Sequence, residues 1–276
     1  MRIDEIKNLK KPLIAVHRAK SGGSIIENTI PAALSAIRSG ADIIEFDVSK
    51  TLDGKIVVFH SNMELKLFHR PIKVNLLPLK IVKKLQLFGS YGGKSGYVLD
   101  TLEEYLAALK GKCLLNFDRI WDADVKKCLE IVGKLDMFDQ IIIKALPNKA
   151  GKRIIKELSA YKNAHFMAII RKVRDYEIMS EWCSEYGVPL SIVEVVFKTE
   201  NELSSNEFIE RMHSEGKLIW ANAINLHKKA EMCAGHGDNV SITSGPDKGW
   251  GWLVEKGYDI IQTDWPSILK DYLNSK

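Results

Sequence analysis

The chain has 276 residues, 46% hydrophobic and 27% charged, enough to bury a large core without help from a disulfide or a structural metal. Its net charge of +5 is a mild basic excess. The lysines are scattered, densest at Lys7, Lys10 and Lys11 and at Lys80, Lys83 and Lys84, with no interleaved aromatics, which argues against nucleic acid and suits a small anionic partner. The four cysteines, Cys113, Cys128, Cys183 and Cys233, have no zinc-ligand spacing and read as reduced thiols. Met1–Lys11 lacks the apolar run of a signal peptide, and no stretch approaches the ~20 apolar residues of a membrane helix. A cytoplasmic protein with no stable membrane anchor is the expectation.

Strand-like and helix-like patterns alternate along the chain. The first strand runs from Leu13 to His17, followed by the polar cap and proline of Asn28-Thr29-Ile30-Pro31 and a helix from Ala32 to Ser39. A second strand, Ile43–Val48, turns at Asp53-Gly54 into the strand Lys55–His60, a hairpin rather than a plain strand–helix unit. Residues 61–100 are the least regular and read as a small insertion packed over the site. Thr101 and Glu104 then form a capping-box pattern. Further strands are expected at Cys113–Phe117, Gln140–Leu146, Ala164–Arg171, Leu190–Phe197, Lys217–Ala223 and Tyr258–Thr263. Helices are expected near 123–135, 149–161, 175–186, 205–215, 247–256 and 267–274. Eight principal strands alternating with helices predict a parallel α/β sheet. A (β/α)8 barrel typically takes about 250 residues. An open doubly wound sheet would want a glycine-rich phosphate loop after its first strand, and Ser21-Gly22-Gly23-Ser24 does not supply one. The fold expectation is therefore one α/β (β/α)8 barrel domain over residues 1–276, with the insertion at 61–100.

Ionisable residues concentrate at strand ends, where a barrel keeps its chemistry. Glu45 and Asp47 lie two apart on a strand, about 7 Å along the backbone and on one face. Two such carboxylates repel unless a cation holds them, and oxygen ligands suit one Mg²⁺ or Ca²⁺. Asp118, at the end of the next barrel strand, can supply a third oxygen. The alternative puts Glu45 and Asp47 on the outer face, with Ile44, Phe46 and Val48 filling the barrel. His17 and His60 flank the carboxylate strand and can run acid–base chemistry near neutral pH. Arg18 offers a donor fork suited to phosphate. Together these groups describe phosphoryl-ester chemistry.

The segments His17-Arg18, Glu27-Asn28-Thr29, Gly40 to Val48, Thr51 to Gly54 and Val57 to His60 resemble the glycerophosphodiester phosphodiesterase family, within the superfamily of phosphatidylinositol-phospholipase-C-like barrels. So do Asp100 to Glu104, Trp220-Ala221-Asn222 and Gly257 to Pro266, so the resemblance covers nearly the whole chain. It implies a barrel with a small insertion and metal-dependent hydrolysis of glycerophosphodiesters to an alcohol and glycerol phosphate. It also implies that His17 and His60 are the catalytic pair, that Glu45 and Asp47 bind the metal, with Asp118 in the third ligand's place, and that Arg18 contacts phosphate. Glu27 and Asn28 would organise the site from behind.

The chain departs from the family pattern at four positions. Ala19 stands where glycine is usual, Ser61 where aspartate is usual, Asp118 for glutamate, and Ile120 for lysine. Lys144, closing the strand Ile141–Ile143, is the candidate replacement for that lysine. Arg119 is expected to face away from Asp118. Glu194, in an apolar strand, reads as a substrate contact or a satisfied structural carboxylate. Trp220 and Asn222 share a strand face and are candidates to hold the substrate's alcohol part. The loop Cys233–Asn239 is polar and glycine-rich, a candidate cover for the mouth. Two rivals stand beside the main reading. One is a lysophospholipase-D-like or sugar-phosphodiester-cleaving enzyme, favoured by the apolar content of residues 63–100. The other is a catalytically silent barrel that binds a phosphorylated ligand.

Overall fold

The computed structural model describes residues 5–6, 12–20, 22–90, 92–161, 163–226 and 232–276; the lysine group Lys7, Lys10 and Lys11 lies outside them. Short β-branched runs form the strands β1 (Leu13–Val16), β2 (Ile43–Lys50), β3 (Ile56–Val58), β4 (Leu114–Asp118), β5 (Ile141–Ala145), β6 (His165–Ile170), β7 (Leu190–Val195), β8 (Leu218–Asn222) and β9 (Ile260–Thr263). All but β3 pair in parallel, in the order β1-β2-β4-β5-β6-β7-β8-β9, and β9 returns to β1 with Leu13 opposite Ile260. The sheet is a closed eight-stranded barrel, as expected. β3 is added antiparallel to the overhanging end of β2, Val48 opposite Val58, which confirms the hairpin. Its turn uses Gly54 at φ +69°, a conformation costly for residues with a Cβ.

Helices ring the barrel: α1 (Ile30–Arg38), then α2 (Glu64–Phe68) and α3 (Leu79–Val82) within the irregular segment, then α4 (Leu102–Leu109) and α5 (Val125–Lys134). They continue with α6 (Lys149–Leu158), α7 (Val173–Tyr186), α8 (Asn206–Ser214), α9 (Asp238–Ser244), α10 (Trp250–Lys256) and α11 (Pro266–Asn274). Local sequence sets several starts. Thr29 caps α1, accepting from Ala32 N, with Pro31 in the first turn, and Thr101 and Glu104 close the expected capping box on α4. Helix α9 lies where only a loop was expected. Its short run Asp238-Asn239-Val240-Ser241 is too polar to show helical periodicity. Among the described residues no helix is long and apolar enough to cross a membrane.

Strand alternation fixes the orientation of the chemistry. Inside the barrel, Leu13, Ala15, Ile43, Leu114, Ile142 and Ile260 belong to one buried cluster with Trp220. Outside it, Ile44, Phe46, Val48, Leu115 and Phe117 pack against the helices. Ile43 therefore points in and Ile44 out, so Glu45 and Asp47 point in, and the outward alternative fails. Phe46, between them, is fully buried, stacked on Phe117 with centroids 4.8 Å apart and tilted on Tyr105 at 5.0 Å. A third cluster, including Phe59, Phe68, Val74 and Leu87, gathers residues 57–99 beside the mouth.

Because Phe46 anchors the outer face of β2, Phe46→Ala should cost about 3–5 kcal/mol in urea unfolding. A loss under ~1 kcal/mol would contradict the orientation of this strand.

Candidate active site

The site lies at the C-terminal mouth of the barrel, where His17, Arg18, Glu45, Asp47, His60 and Asp118 border one cavity of about 360 Å³. Lys144, Glu194 and Asn222 line the same cavity. Parallel register puts Asp118 directly opposite Asp47 and Asn116 opposite Glu45, so β2 and β4 bring the carboxylates together.

Ligand oxygens of Glu45, Asp47 and Asp118 lie within 4.8 Å of one another. Glu45 and Asp47 are buried. Burial and the neighbouring charges of Asp47 and Asp118 push the Glu45 carboxyl well above the usual range, against the opposing pull of Lys144 and the Arg18 amide. Burial would also raise Asp118, but Lys144, with Nζ 2.9 Å from its Oδ2, outweighs this and holds it low. Asp47 is held in place by Asn28, whose Nδ2 donates to Asp47 Oδ2 at 2.9 Å and whose Oδ1 accepts from Asp47 N at 3.1 Å. Arg18 Nε stands 3.2 Å from Asp47 Oδ2 as an ion pair, off the hydrogen-bond line. Asn116 Oδ1 is buried without a hydrogen-bond partner. This cradle is rich in oxygen and short of positive charge, and a hard divalent cation fits it.

After Val16 the chain turns through His17–Ala19, with Arg18 and Ala19 both at positive φ, 51° and 56°. Ala19 thus takes a left-handed conformation, and the Arg18 amide donates to Glu45 Oε2 at 2.7 Å to hold the turn. Glu27 lies behind, 3.4 Å from Arg18 Nη1 and 3.3 Å from Lys66 Nζ. Burial would raise the Glu27 carboxyl, but these two cations outweigh it and hold it low.

His17 Nδ1 lies 3.1 Å from Asp264 Oδ1. A carboxylate accepts only, so Nδ1 donates and Nε2 remains for the reacting atoms. Burial would raise Asp264, but the hydrogen bond and charge of His17 and the Lys20 ammonium, 2.7 Å away, hold it below the usual range. His60 is arranged alike: Nδ1 donates to the Ser61 carbonyl at 2.7 Å, and Nε2 accepts from Arg119 Nη1 at 3.2 Å. Burial, then the Arg18 and Arg119 guanidiniums, push His60 below the ordinary histidine range, with Asp47 opposing.

Two expectations need correction. Arg119 does not face away. Its own φ of 55° swings the side chain into the mouth, where Asp122 Oδ2 accepts from its Nε at 2.7 Å. Trp220 does not reach the mouth. It is fully buried in the interior cluster below, donating from Nε1 to Asn222 Oδ1 at 3.1 Å and Gln262 Oε1 at 3.3 Å. Strand alternation pointed it inward but could not give its depth. Asn222 in turn donates to Glu194 Oε1 at 2.8 Å, and Glu194 Oε2 lies 3.2 Å from Lys144 Nζ. Lys144 is buried and held protonated: its burial is outweighed by Asp118, Glu194 and Glu45.

Sequence reasoning missed two carboxylates as site residues. Asp264 carried the same strand-end signal as the others. Asp238, at the start of α9, carried none. It is buried and accepts from Trp250 Nε1, Thr263 Oγ1 and Asp264 N, each at 2.8 Å, so it positions the strand end that holds His17. Burial pushes its carboxyl up to about 7 despite these three donors. The stretch Cys233–Asn239 contributes this support through Asp238; none of its residues lines the mouth cavity.

A family model, DUF4996, described as a domain of unknown function, matches residues 166–273. A curated glycerophosphodiester phosphodiesterase from Caldanaerobacter subterraneus subsp. tengcongensis is 28% identical over 158 residues, 55% of this chain. That match spans 64% of the relative's length, just short of two thirds. Among solved structures, a glycerophosphoryl diester phosphodiesterase from Parabacteroides distasonis superposes with a TM-score of 0.79 at 18% identity, over 100% of this chain and 92% of its own. A glycerophosphodiester phosphodiesterase from Agrobacterium tumefaciens gives 0.68 at 18% identity, over 95% and 100%. A phosphodiesterase from Oleispira antarctica, solved with the product sn-glycerol-3-phosphate, gives 0.66 at 15% identity, over 95% and 97%. The resemblance to glycerophosphodiester phosphodiesterases thus holds in sequence and in fold.

Asp238 yields a stability prediction with a definite sign. Its folded pKa lies above its unfolded value, so the folded state binds the extra proton between about pH 4 and 7. Its contribution is full below that window and is lost as pH rises through it. In urea unfolding at pH 4.5 and 7.5, Asp238→Asn should lose less stability with rising pH than the parent. Equal pH dependence in both chains would refute the assignment.

Proposed function

We propose that the chain hydrolyses glycerophosphodiesters to an alcohol and glycerol phosphate, with His17 and His60 as the acid–base pair. The observation that carries this is the meeting of two histidines, each with Nδ1 tied back, with the Glu45, Asp47 and Asp118 carboxylates and the Arg18 and Arg119 guanidiniums around one cavity. The product bound to the Oleispira antarctica structural relative and the name of the curated relative support the substrate class.

Glu45, Asp47 and Asp118 would hold one Mg²⁺ or Ca²⁺. When bound, that ion supplies Lewis-acid stabilisation of charge on the phosphate oxygens. The rest falls to the chain's own groups. Arg18 and Arg119 bind the remaining phosphate oxygens with charge-assisted hydrogen bonds. Asp264 keeps His17 in the tautomer with Nε2 turned to the substrate, and the Ser61 carbonyl does the same for His60. One Nε2 takes the proton of the attacking hydroxyl and the other protonates the departing alkoxide. Lys144 stands in for the family's missing lysine: it keeps Asp118 ionised and links it through Glu194 to Asn222.

A second reading, a lysophospholipase-D-like enzyme, draws on a neighbouring cavity of about 380 Å³. Glu27 borders it, and its wall includes Ile25, Ile26, Leu67 and Phe88. It offers apolar room beside the site for an acyl chain.

One assay series tests both. Turnover of glycerophosphocholine should stop with chelator and return with Mg²⁺ or Ca²⁺. His17→Ala and His60→Ala should each lower kcat by about 10²–10⁴ with the fold intact. Near-normal turnover in either variant, or with chelator, would sink the mechanism. Faster cleavage of lysophosphatidylcholine than of glycerophosphocholine would favour the second reading.

A further inference from the structure

The segment from 61 to 100 holds six lysines and one arginine against two carboxylates, so it alone carries +5, as much as the whole chain. Three of these seven cations have carboxylate partners: Lys66 pairs with Glu27, Lys73 with Glu64 and Lys83 with Glu104. Arg70, Lys84 and Lys94 do not. Among the described residues no carboxylate pairs with any of the three. They border a separate cavity of about 230 Å³, together with Gln86 and the rings of Phe68 and Phe88. This cavity shares no lining residue with the barrel mouth and has no acidic residue in its wall.

Three like charges gathered around one hollow without a counter-ion repel one another, and an anion binding among them removes that cost. Arg70 offers a donor fork and the two lysines offer point charges, a set suited to a phosphate group. The rings of Phe68 and Phe88 add an apolar wall for the organic part of a phosphoester. Phe88 is itself braced by His69, stacked at 4.3 Å. The helices beside the hollow carry exposed apolar side chains: Leu65 on α2 is 68% exposed and Ile81 on α3 is 37% exposed.

We propose that Arg70, Lys84 and Lys94 form a second anion site, outside the barrel mouth, that binds the phosphate of a phosphoester. The exposed leucine and isoleucine suit the headgroup of an anionic lipid, with the two side chains reaching the acyl boundary. A soluble organic phosphate carries the same recognised group. The site stands independently of the catalytic reading, since none of its residues belongs to the mouth.

The test compares the parent chain with the triple variant Arg70→Gln, Lys84→Gln, Lys94→Gln. All three residues are exposed, so the variant should keep its melting temperature in phosphate-free buffer and its turnover of glycerophosphocholine. Co-sedimentation is measured with vesicles of phosphatidylcholine alone and with added phosphatidylglycerol, at low and high salt. Thermal melts are recorded with and without inorganic phosphate. Parent binding to the phosphatidylglycerol vesicles, weakened at least about tenfold in the variant and by salt, supports the site with a lipid source. No vesicle binding, with phosphate raising the parent's melting temperature more than the variant's, supports it with a soluble source. Equal responses of the two chains in both assays, including no response, would overturn it. The single variant Arg70→Gln, expected to give an intermediate loss, serves if the triple variant fails to fold.

Discussion

Three carboxylates forced to face one another inside a closed barrel organise the rest of this structure. Glu45, Asp47 and Asp118 cannot turn away, because the alternate residues Phe46 and Phe117 are locked into the outer hydrophobic layer. Taking ionised groups out of water is expensive, and placing like charges within 4.8 Å adds to the cost. The surroundings can be read as responses to that constraint. Arg18 and Asn28 hold Asp47, Lys144 holds Asp118, and Glu45 is left with a carboxyl pushed far up. The residual demand for positive charge is what a divalent cation would meet.

The same logic explains how the chain departs from the glycerophosphodiester phosphodiesterase pattern and still assembles the cradle. Where the pattern has lysine after the third carboxylate, this chain has Ile120, fully buried in the outer core. The cation comes from the neighbouring strand, as Lys144, and reaches Asp118 directly. Where the pattern has glycine, Ala19 takes a left-handed conformation, at a cost of roughly 1 kcal/mol. The Arg18 amide bond to Glu45 and the Asn28 amide bond to the Arg18 carbonyl, 2.7 and 2.8 Å, offset it. Loop and cradle therefore stabilise each other, which ties Arg18 to the carboxylates.

Much of this was legible from the chain alone. Period-2 alternation in Ile43–Val48 placed the carboxylates on one face, and the strand–helix alternation named the barrel. The closed sheet bears out both. What escaped was set by local backbone geometry or by distance in sequence. Arg119 was assigned the wrong direction because alternation holds only within a strand, and β4 ends at Asp118, one residue earlier. Trp220 faced inward as read, yet its depth depends on stagger around the barrel, which no single strand reveals. Asp238 lay in a glycine-rich stretch with no periodic signal. Its role appears only when the fold brings it to the end of β9. Asp264 carries the strand-end signal, but its role does not show in the sequence, because its partner His17 lies 247 residues away.

The central claim is that this cradle is a divalent-cation site. Calorimetric titration of Mg²⁺ and of Ca²⁺ tests it without reference to any substrate. One ion should bind per chain. Asp118→Asn should weaken binding about tenfold or more. Absence of binding, or binding unchanged by that substitution, would contradict the account.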